Sequence, residues 1–206
     1  MLVRFVSFLV KCVTHLLFRI KVHGKENFPA EGAVIVAINH KSFWDAPLVA
    51  AELPRELAFM AKKELFKVPV VGAIIKWAGA FPVSRGTGDL GAIKAALSAL
   101  KAGKAMAIFP EGTRVKGDQA HSAKAGVALI AEKTGAPIVP VAIRGGYRLF
   151  SKIDIFIEEP IFVKSKDGKK LTSEELQAIS DDLMVKILHL ANNDFTFIKE
   201  NETLGH

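Results

Sequence analysis

The sequence predicts an α/β domain: a mostly parallel, mixed sheet flanked by helices and preceded by an amphipathic helix suited to a membrane interface. Three observations predict it. Short apolar runs alternate with longer segments of helical character from about residue 20 to residue 191, the pattern of a largely parallel sheet covered by helices on both faces. Helix punctuation falls between the runs: Thr172 and Glu175 have capping-box spacing, and Gly103 and Gly135 stand where helix C-terminal glycines are expected. The chain has 206 residues and is 50% hydrophobic, enough for one domain with a sizeable core.

In chain order, residues 1–19 read as a separate helix. Arg4, Lys11 and His15 fall within a narrow stripe at about 100° per residue, with Arg19 close by and Leu, Val and Phe over most of the remainder. The charges interrupt every apolar run well short of the ~18 residues of a transmembrane span. Lys11 also breaks the apolar region that a signal peptide needs, and no small-residue cleavage site follows. A basic stripe on a broad apolar face suits a helix lying in an anionic membrane surface. The bland alternative is a helix packed on the domain core with a solvated basic edge.

The domain proper is expected over 20–191. Strands are predicted at IKVHG, AVIVAI, LAFMA, AFPV, AMAIF, PIVPVAI and IDIFIEEPIFV, and helices near 46–53, 69–77, 89–102, 122–134 and 173–191. The polar tail, 192–206, is expected to fray. No internal repeat or low-complexity linker interrupts this order.

Charge narrows the partners. Twenty-eight Lys and Arg against twenty-one Asp and Glu favour an anionic partner: phosphate, nucleic acid or an anionic membrane. Nucleic acid lacks support, because no strand face interleaves basic and aromatic residues. The lone cysteine, Cys12, excludes an intrachain disulfide and fits a cytosolic setting. No Cys/His cluster suggests a metal, no Walker loop appears, and Ser84 in PVSRG lacks a nucleophile elbow.

The chemistry concentrates at predicted strand ends, where open α/β sheets place their sites. NHKSFWD (39–45) puts His40 and Asp45 just past AVIVAI. Asp45 can be read as a helix N-cap, with Pro47 tolerated in the first turn, or as the acid that orients His40 as a general base. The spacing alone favours the cap. GAFPVSRG (79–86) runs from a strand into a loop carrying Arg85, and AMAIFPEGTR (105–114) does the same with Glu111 and Arg114. Pro110 and Gly112 give Glu111 a β-turn setting. Two arginines at two strand ends form a candidate phosphate clamp, against the plain alternative of two solvated arginines.

The ordered set NHKSFWD, GAFPVSRG, FPEGTR and APIVPVAI resembles the glycerolipid acyltransferase family, the lysophosphatidate acyltransferases in particular. The family's first motif, Asn-His, four residues, Asp, matches Asn39, His40 and Asp45. The second matches Arg85, the third Phe109 to Arg114, and the fourth, an apolar stretch centred on a proline, Val139, Pro140 and Val141. AKKELFKVPVVG looks like the family's usual link between its first two motifs. The likeness spans about residues 20 to 145.

The resemblance implies an enzyme moving an acyl group from acyl-CoA or acyl-carrier protein to lysophosphatidate, without a cofactor, at the cytoplasmic face of a membrane as a peripheral or monotopic protein. It implies His40 as base, Asp45 as its partner, and Arg85, Glu111, Gly112, Thr113 and Arg114 as acceptor-binding positions. Lys63 is a weaker candidate for the anionic site, set equally against a solvated lysine. Glycerol 3-phosphate or another lysolipid remains an alternative acceptor. Two readings of other classes stay open. GTGDLG (86–91) has a dinucleotide-binding pattern with Glu111 twenty residues on, although Asp89 would oppose a pyrophosphate there. A non-catalytic membrane-binding module would leave His40 and Asp45 without a task.

Overall fold

The computed structural model describes residues 2–77, 80–83, 90–115, 123–164 and 169–192. Seven strands form one sheet: β1 (Arg19–His23), β2 (Val34–Ile38), β3 (Leu57–Lys62), β4 (Ala80–Val83), β5 (Ala105–Ile108), β6 (Ile138–Gly145) and β7 (Lys152–Ile157), in the order β1-β7-β6-β2-β5-β3-β4. Every pairing is parallel except β6 with β7, so β1 and β7 run against the other five. The helices are α1 (Leu2–Leu17), α2 (Asp45–Glu52), α3 (Pro69–Trp77), α4 (Leu90–Lys101), α5 (Gly126–Thr134) and α6 (Ser173–Asn192).

Strand period distributes the core between two faces. In β2, Val34, Val36 and Ile38 turn toward Phe18 and the α2 residues Leu48 and Val49, while Ile35 and Ala37 turn toward Leu100, Ile130 and Met184 of α4, α5 and α6. All five β2 residues are fully buried, which explains why this run is apolar without alternation. The punctuation works as its residue types require. Thr172 and Glu175 exchange N–H···O bonds of 2.7 and 3.2 Å ahead of α6, and the backbone N–H of Thr172 holds the Glu175 carboxyl below its usual range. Gly103 takes φ 74° after α4 and donates to the Leu100 carbonyl.

Three expectations need correction. The predicted strand IDIFIEEPIFV is too long. β7 stops at Ile157, because Pro160 cannot donate to a ladder, and Ile161 returns only as a single antiparallel bridge to Ile138. The helix expected from 122 begins at Gly126 with Ala125 as its N-cap, and residue 122 lies outside the described residues.

The third correction concerns α1. Two residues of its polar stripe reach a buried carboxylate of the domain, and part of its apolar arc faces outward. Lys11 Nζ lies 3.2 Å and His15 Nε2 2.8 Å from the two carboxylate oxygens of Glu52, which is buried at the end of α2. Phe8, Leu9, Val13 and Leu16, one face of the helix, stay exposed, Leu16 by 73%. Lys11 and His15 thus reach Glu52 while each side chain stays 43% exposed, as the partly solvated edge of a helix packed on the domain would. Glu52 needs them, since a buried carboxylate without partners is costly. The side chain of Arg4 lies outside the described residues. α1 ends at Leu17, Phe18 enters the core, and Arg19 opens β1, so the sheet domain begins within the segment 1–19. Among the described residues, no helix is long and apolar enough to cross a membrane.

Candidate active site

The carboxyl ends of β2, β5 and β6 meet at one edge of the sheet. β2 is followed by Asn39, whose buried side-chain amide donates to the Ile143 carbonyl at 3.0 Å and accepts the Ile143 N–H at 2.7 Å. That exchange extends the β2–β6 pairing by one residue and fixes where the chain leaves the sheet. His40 follows. Its backbone N–H donates to a Glu111 oxygen at 3.2 Å, and its carbonyl accepts the Val115 N–H at 3.0 Å. The loop after β5 thus clamps the loop after β2. Phe109 stacks on the imidazole at 3.9 Å and 22°, closing one ring face.

Asp45 is the first residue of α2 and is fully buried. Its Oδ2 accepts from His40 Nδ1 at 2.9 Å and from the Lys41 and Ser42 N–H groups at 2.7 Å each; its Oδ1 accepts from the Tyr147 hydroxyl. The Asp45 carboxylate reaches back to the loop rather than forward into α2, and no side chain caps the helix. The simple N-cap is thereby corrected, although the Ser42 contact is half of a capping box. Pro47 sits in the first turn of α2, where its missing N–H costs no helical bond.

A carboxylate can only accept, so the bond at Nδ1 places the imidazole proton there and leaves the Nε2 lone pair facing outward. No partner takes Nε2 among the described residues, and the His40 side chain is 12% exposed. The donors to Asp45 are neutral before His40 is protonated. With Nδ1 tied to a buried carboxylate, Nε2 is the ring nitrogen placed to take a proton from a substrate hydroxyl.

The third motif folds as its residues suggest. Gly112 N–H closes a turn onto the Phe109 carbonyl at 2.9 Å with Pro110 and Glu111 between. Gly112 has φ 71°, and a Cβ there would lie 2.8 Å from Lys124 Cε. The Arg114 guanidinium lies 3.4 Å over the ring of exposed Phe43, joining the first and third motifs across the site mouth. Thr113 is exposed on the same loop. Lys63 follows β3 at the same sheet edge, exposed, and no hydrogen bond or ion pair joins it to His40 or Asp45 among the described residues. Arg85 and residues Gly86 to Asp89 of GTGDLG lie outside the described residues; Leu90 opens α4. Glu111, the acid of the dinucleotide pattern, holds the His40 backbone instead. No three His, Cys, Asp or Glu side chains gather to hold a metal among the described residues.

Sequence reasoning missed Tyr147, Phe109 as the stacking partner and Phe43 as the platform for Arg114. The only available signal for Tyr147 was that it is the single tyrosine of the chain.

Residues 19–144, more than half of the chain, match the family described as Acyltransferase. The chain is 35% identical over 196 residues to the 1-acyl-sn-glycerol-3-phosphate acyltransferase of Bacillus subtilis, covering 92% of this chain and 96% of that protein. It is 33% identical over 136 residues to the lyso-ornithine lipid O-acyltransferase of Pseudomonas aeruginosa, covering 66% of this chain and 51% of that protein. The crystal structure of the 1-acyl-sn-glycerophosphate acyltransferase PlsC from Thermotoga maritima superposes with a TM-score of 0.72 at 27% identity, covering 94% of this chain and 80% of that one.

Proposed function

The chain belongs to the Acyltransferase family, and on that premise we propose that it transfers a fatty acyl group from an acyl thioester to the free hydroxyl of 1-acylglycerol 3-phosphate, giving phosphatidic acid. The observation that carries this reading is the His40–Asp45 pair, with Nδ1 tied at 2.9 Å and Nε2 left outward. Nε2 takes the proton as the acceptor oxygen attacks the thioester carbonyl. The carbon–sulfur bond then breaks, and the departing thiolate recovers the proton from the imidazolium. Asp45 stabilises that imidazolium between the two transfers. No nucleophilic side chain is needed, so transfer is direct, without an acyl-enzyme and without a cofactor. The donor substrate is acyl-CoA or acyl-carrier protein.

Arg114 and Arg85 bind the glycerol phosphate, and holding the acceptor hydroxyl near Nε2 supplies much of the rate. The turn that carries Glu111, Gly112 and Thr113 sets the height of Arg114, while Glu111 fixes the His40 backbone. Lys63 adds positive charge at the rim. The relative named for a lyso-ornithine lipid keeps another acceptor in view.

The exposed arc of α1 rests on the lipid surface from which acceptor is drawn, at the cytoplasmic face. Phe8 and Leu16 support this reading, being 62% and 73% exposed on one face of the helix with Leu9 and Val13. Phe8→Ser with Leu16→Ser should weaken co-sedimentation with phospholipid vesicles and leave the melting temperature within a degree or so. Unchanged pelleting would refute the membrane contact. The function itself is tested by offering purified protein each acceptor, lysophosphatidate, glycerol 3-phosphate and a phosphate-free lysolipid, with each donor. Phosphatidate as the main product supports the reading; preference for a phosphate-free acceptor overturns it.

A further inference from the structure

Tyr147 belongs to no motif that the sequence singled out, yet its hydroxyl donates to Oδ1 of the buried Asp45. It arrives from the segment after β6, and the path it takes is well defined. Its ring packs edge-on against Phe18 at 6.1 Å and 89°, and Phe18 packs in the same way against Trp44 at 5.6 Å and 76°. Phe18 is the residue that follows α1, and the chain beyond Tyr147 is stitched to the same place: Phe150 N–H donates to the Leu17 carbonyl at 2.7 Å and Arg19 N–H to the Ser151 carbonyl at 2.9 Å. Phe150 holds φ 61° there, a value that a phenylalanine adopts only when its surroundings impose it.

We propose that Tyr147 is a positioning residue for the acyl transfer: its hydroxyl locks the Asp45 carboxylate through Oδ1 while Oδ2 holds His40, and it tempers how strongly Asp45 retains a proton on His40. The proposal rests on the functional reading above for its kinetic part only. Its reasoning is one of lone pairs. Oδ2 already serves three donors, His40 Nδ1 and the N–H groups of Lys41 and Ser42. Without the Tyr147 hydroxyl, the buried Oδ1 would lose its donor, and the carboxylate could rotate or draw its partner in closer. Among the described residues, Glu111 and Lys41 are ionisable side chains of the loops around the pair. Glu111 accepts the His40 backbone N–H, and the Lys41 ammonium turns away toward Asn192 Oδ1 at 3.5 Å. Burial, then the charge of Asp45 and its hydrogen bond, push the Tyr147 phenol far above its ordinary range, so it stays a donor throughout the working pH range.

Tyr147→Phe removes one oxygen and keeps the ring against Phe18. With the donor gone, Asp45 holds the imidazolium more tightly. The acid limb of kcat/KM should therefore move to higher pH by about one unit. Positioning is lost as well, so kcat should fall by about tenfold with KM for both substrates little changed. A fall in kcat with an unmoved acid limb means a merely structural tyrosine and overturns the proposal, as does unaltered turnover.

The second measurement needs no activity. Tyr147 is the only tyrosine, so tyrosinate absorbance reports on it alone. Over the pH range in which circular dichroism stays native, Asp45→Asn should form tyrosinate at lower pH than the wild type. Coincident titrations overturn the Tyr147–Asp45 bond. Should wild-type protein transfer no acyl group to any acceptor, the functional reading fails, and the titration still decides the bond.

Discussion

Two histidine–aspartate pairs in this molecule have the same separation, 2.9 Å, and different chemistry. His40 meets Asp45 through Nδ1; His23, at the end of β1, meets Asp154 of β7 through Nε2. Asp45 is fully buried among neutral donors. Asp154 has Lys152 Nζ at 3.6 Å and Arg144 at 3.7 Å as well as His23, and cations hold its charge whether or not His23 is protonated. His23 also lies flat on Phe156 at 4.7 Å, and its side chain is a third exposed. The pair of His15 with Glu52 follows the second pattern, with Lys11 as the cation. Distance between a histidine and an acid thus says little about catalysis. The ring nitrogen that is left outward, and neutral rather than cationic partners for the acid among the described residues, distinguish a base from a brace.

The largest expected effect breaks the two pairs in the same way. Asp45→Asn should cost about a hundredfold to ten-thousandfold in turnover. Asp154→Asn should leave turnover within about twofold, because it lies outside the site and its loss is one of a partly exposed network. Similar losses from both would show that fold stability, not charge at His40, is being read; a melt of each variant separates the cases.

The next effect sharpens the role of cations. On the proposed function, Arg114 and Arg85 bind the acceptor's phosphate. Arg114→Ala should lower kcat/KM for lysophosphatidate by about tenfold to a hundredfold, the range of a lost charge-assisted bond, and Arg85→Ala should act likewise. A lysolipid without phosphate should lose much less. Equal losses on both acceptors would assign the arginines to folding or to the donor.

The smallest effect belongs to the brace. Burial raises the Asp154 carboxyl, but the His23 hydrogen bond, then Lys152 and Arg144, outweigh it and hold the group below its usual range. A depressed folded value stabilises the protein above the unfolded carboxyl's pKa, about 3.9, and that contribution is lost as pH falls through the folded value. The difference in melting temperature between wild type and Asp154→Asn should therefore be level above about pH 5 and close below about pH 4. A gap that persists into stronger acid would place the stabilisation in packing rather than charge.

How much of this was legible in the sequence differs between the same regions. AVIVAI, AFPV and the helix at 69–77 could be read because local apolar period and flanking breakers decide them. The spacing of His40 and Asp45 alone favours a cap and only the ordered set of motifs points to the pair, whereas the FPEGTR turn was legible because Pro110 and Gly112 fix its geometry locally. Tyr147 was not, since its approach to Asp45 depends on the antiparallel reversal from β6 to β7 and on the stitching of that reversal to Leu17. The direction of the α1 stripe was hidden for the same reason. Helical period shows that Lys11 and His15 share a side, but only Glu52, thirty-seven residues beyond His15, tells which side faces the domain. The end of β7 is the opposite case: Pro160 stood in plain view, and the apolar run beyond it was given too much weight.

The most direct test compares the two histidines. Phosphatidate formation from lysophosphatidate and acyl-CoA is measured for His40→Ala and His23→Ala, with vesicles and protein concentration held fixed and a melt recorded for each. His23→Ala should retain turnover within about twofold, and His40→Ala should fall by at least about a hundredfold, the contribution expected of a positioned base. Comparable rates from the two folded variants would contradict the assignment of His40 as the base.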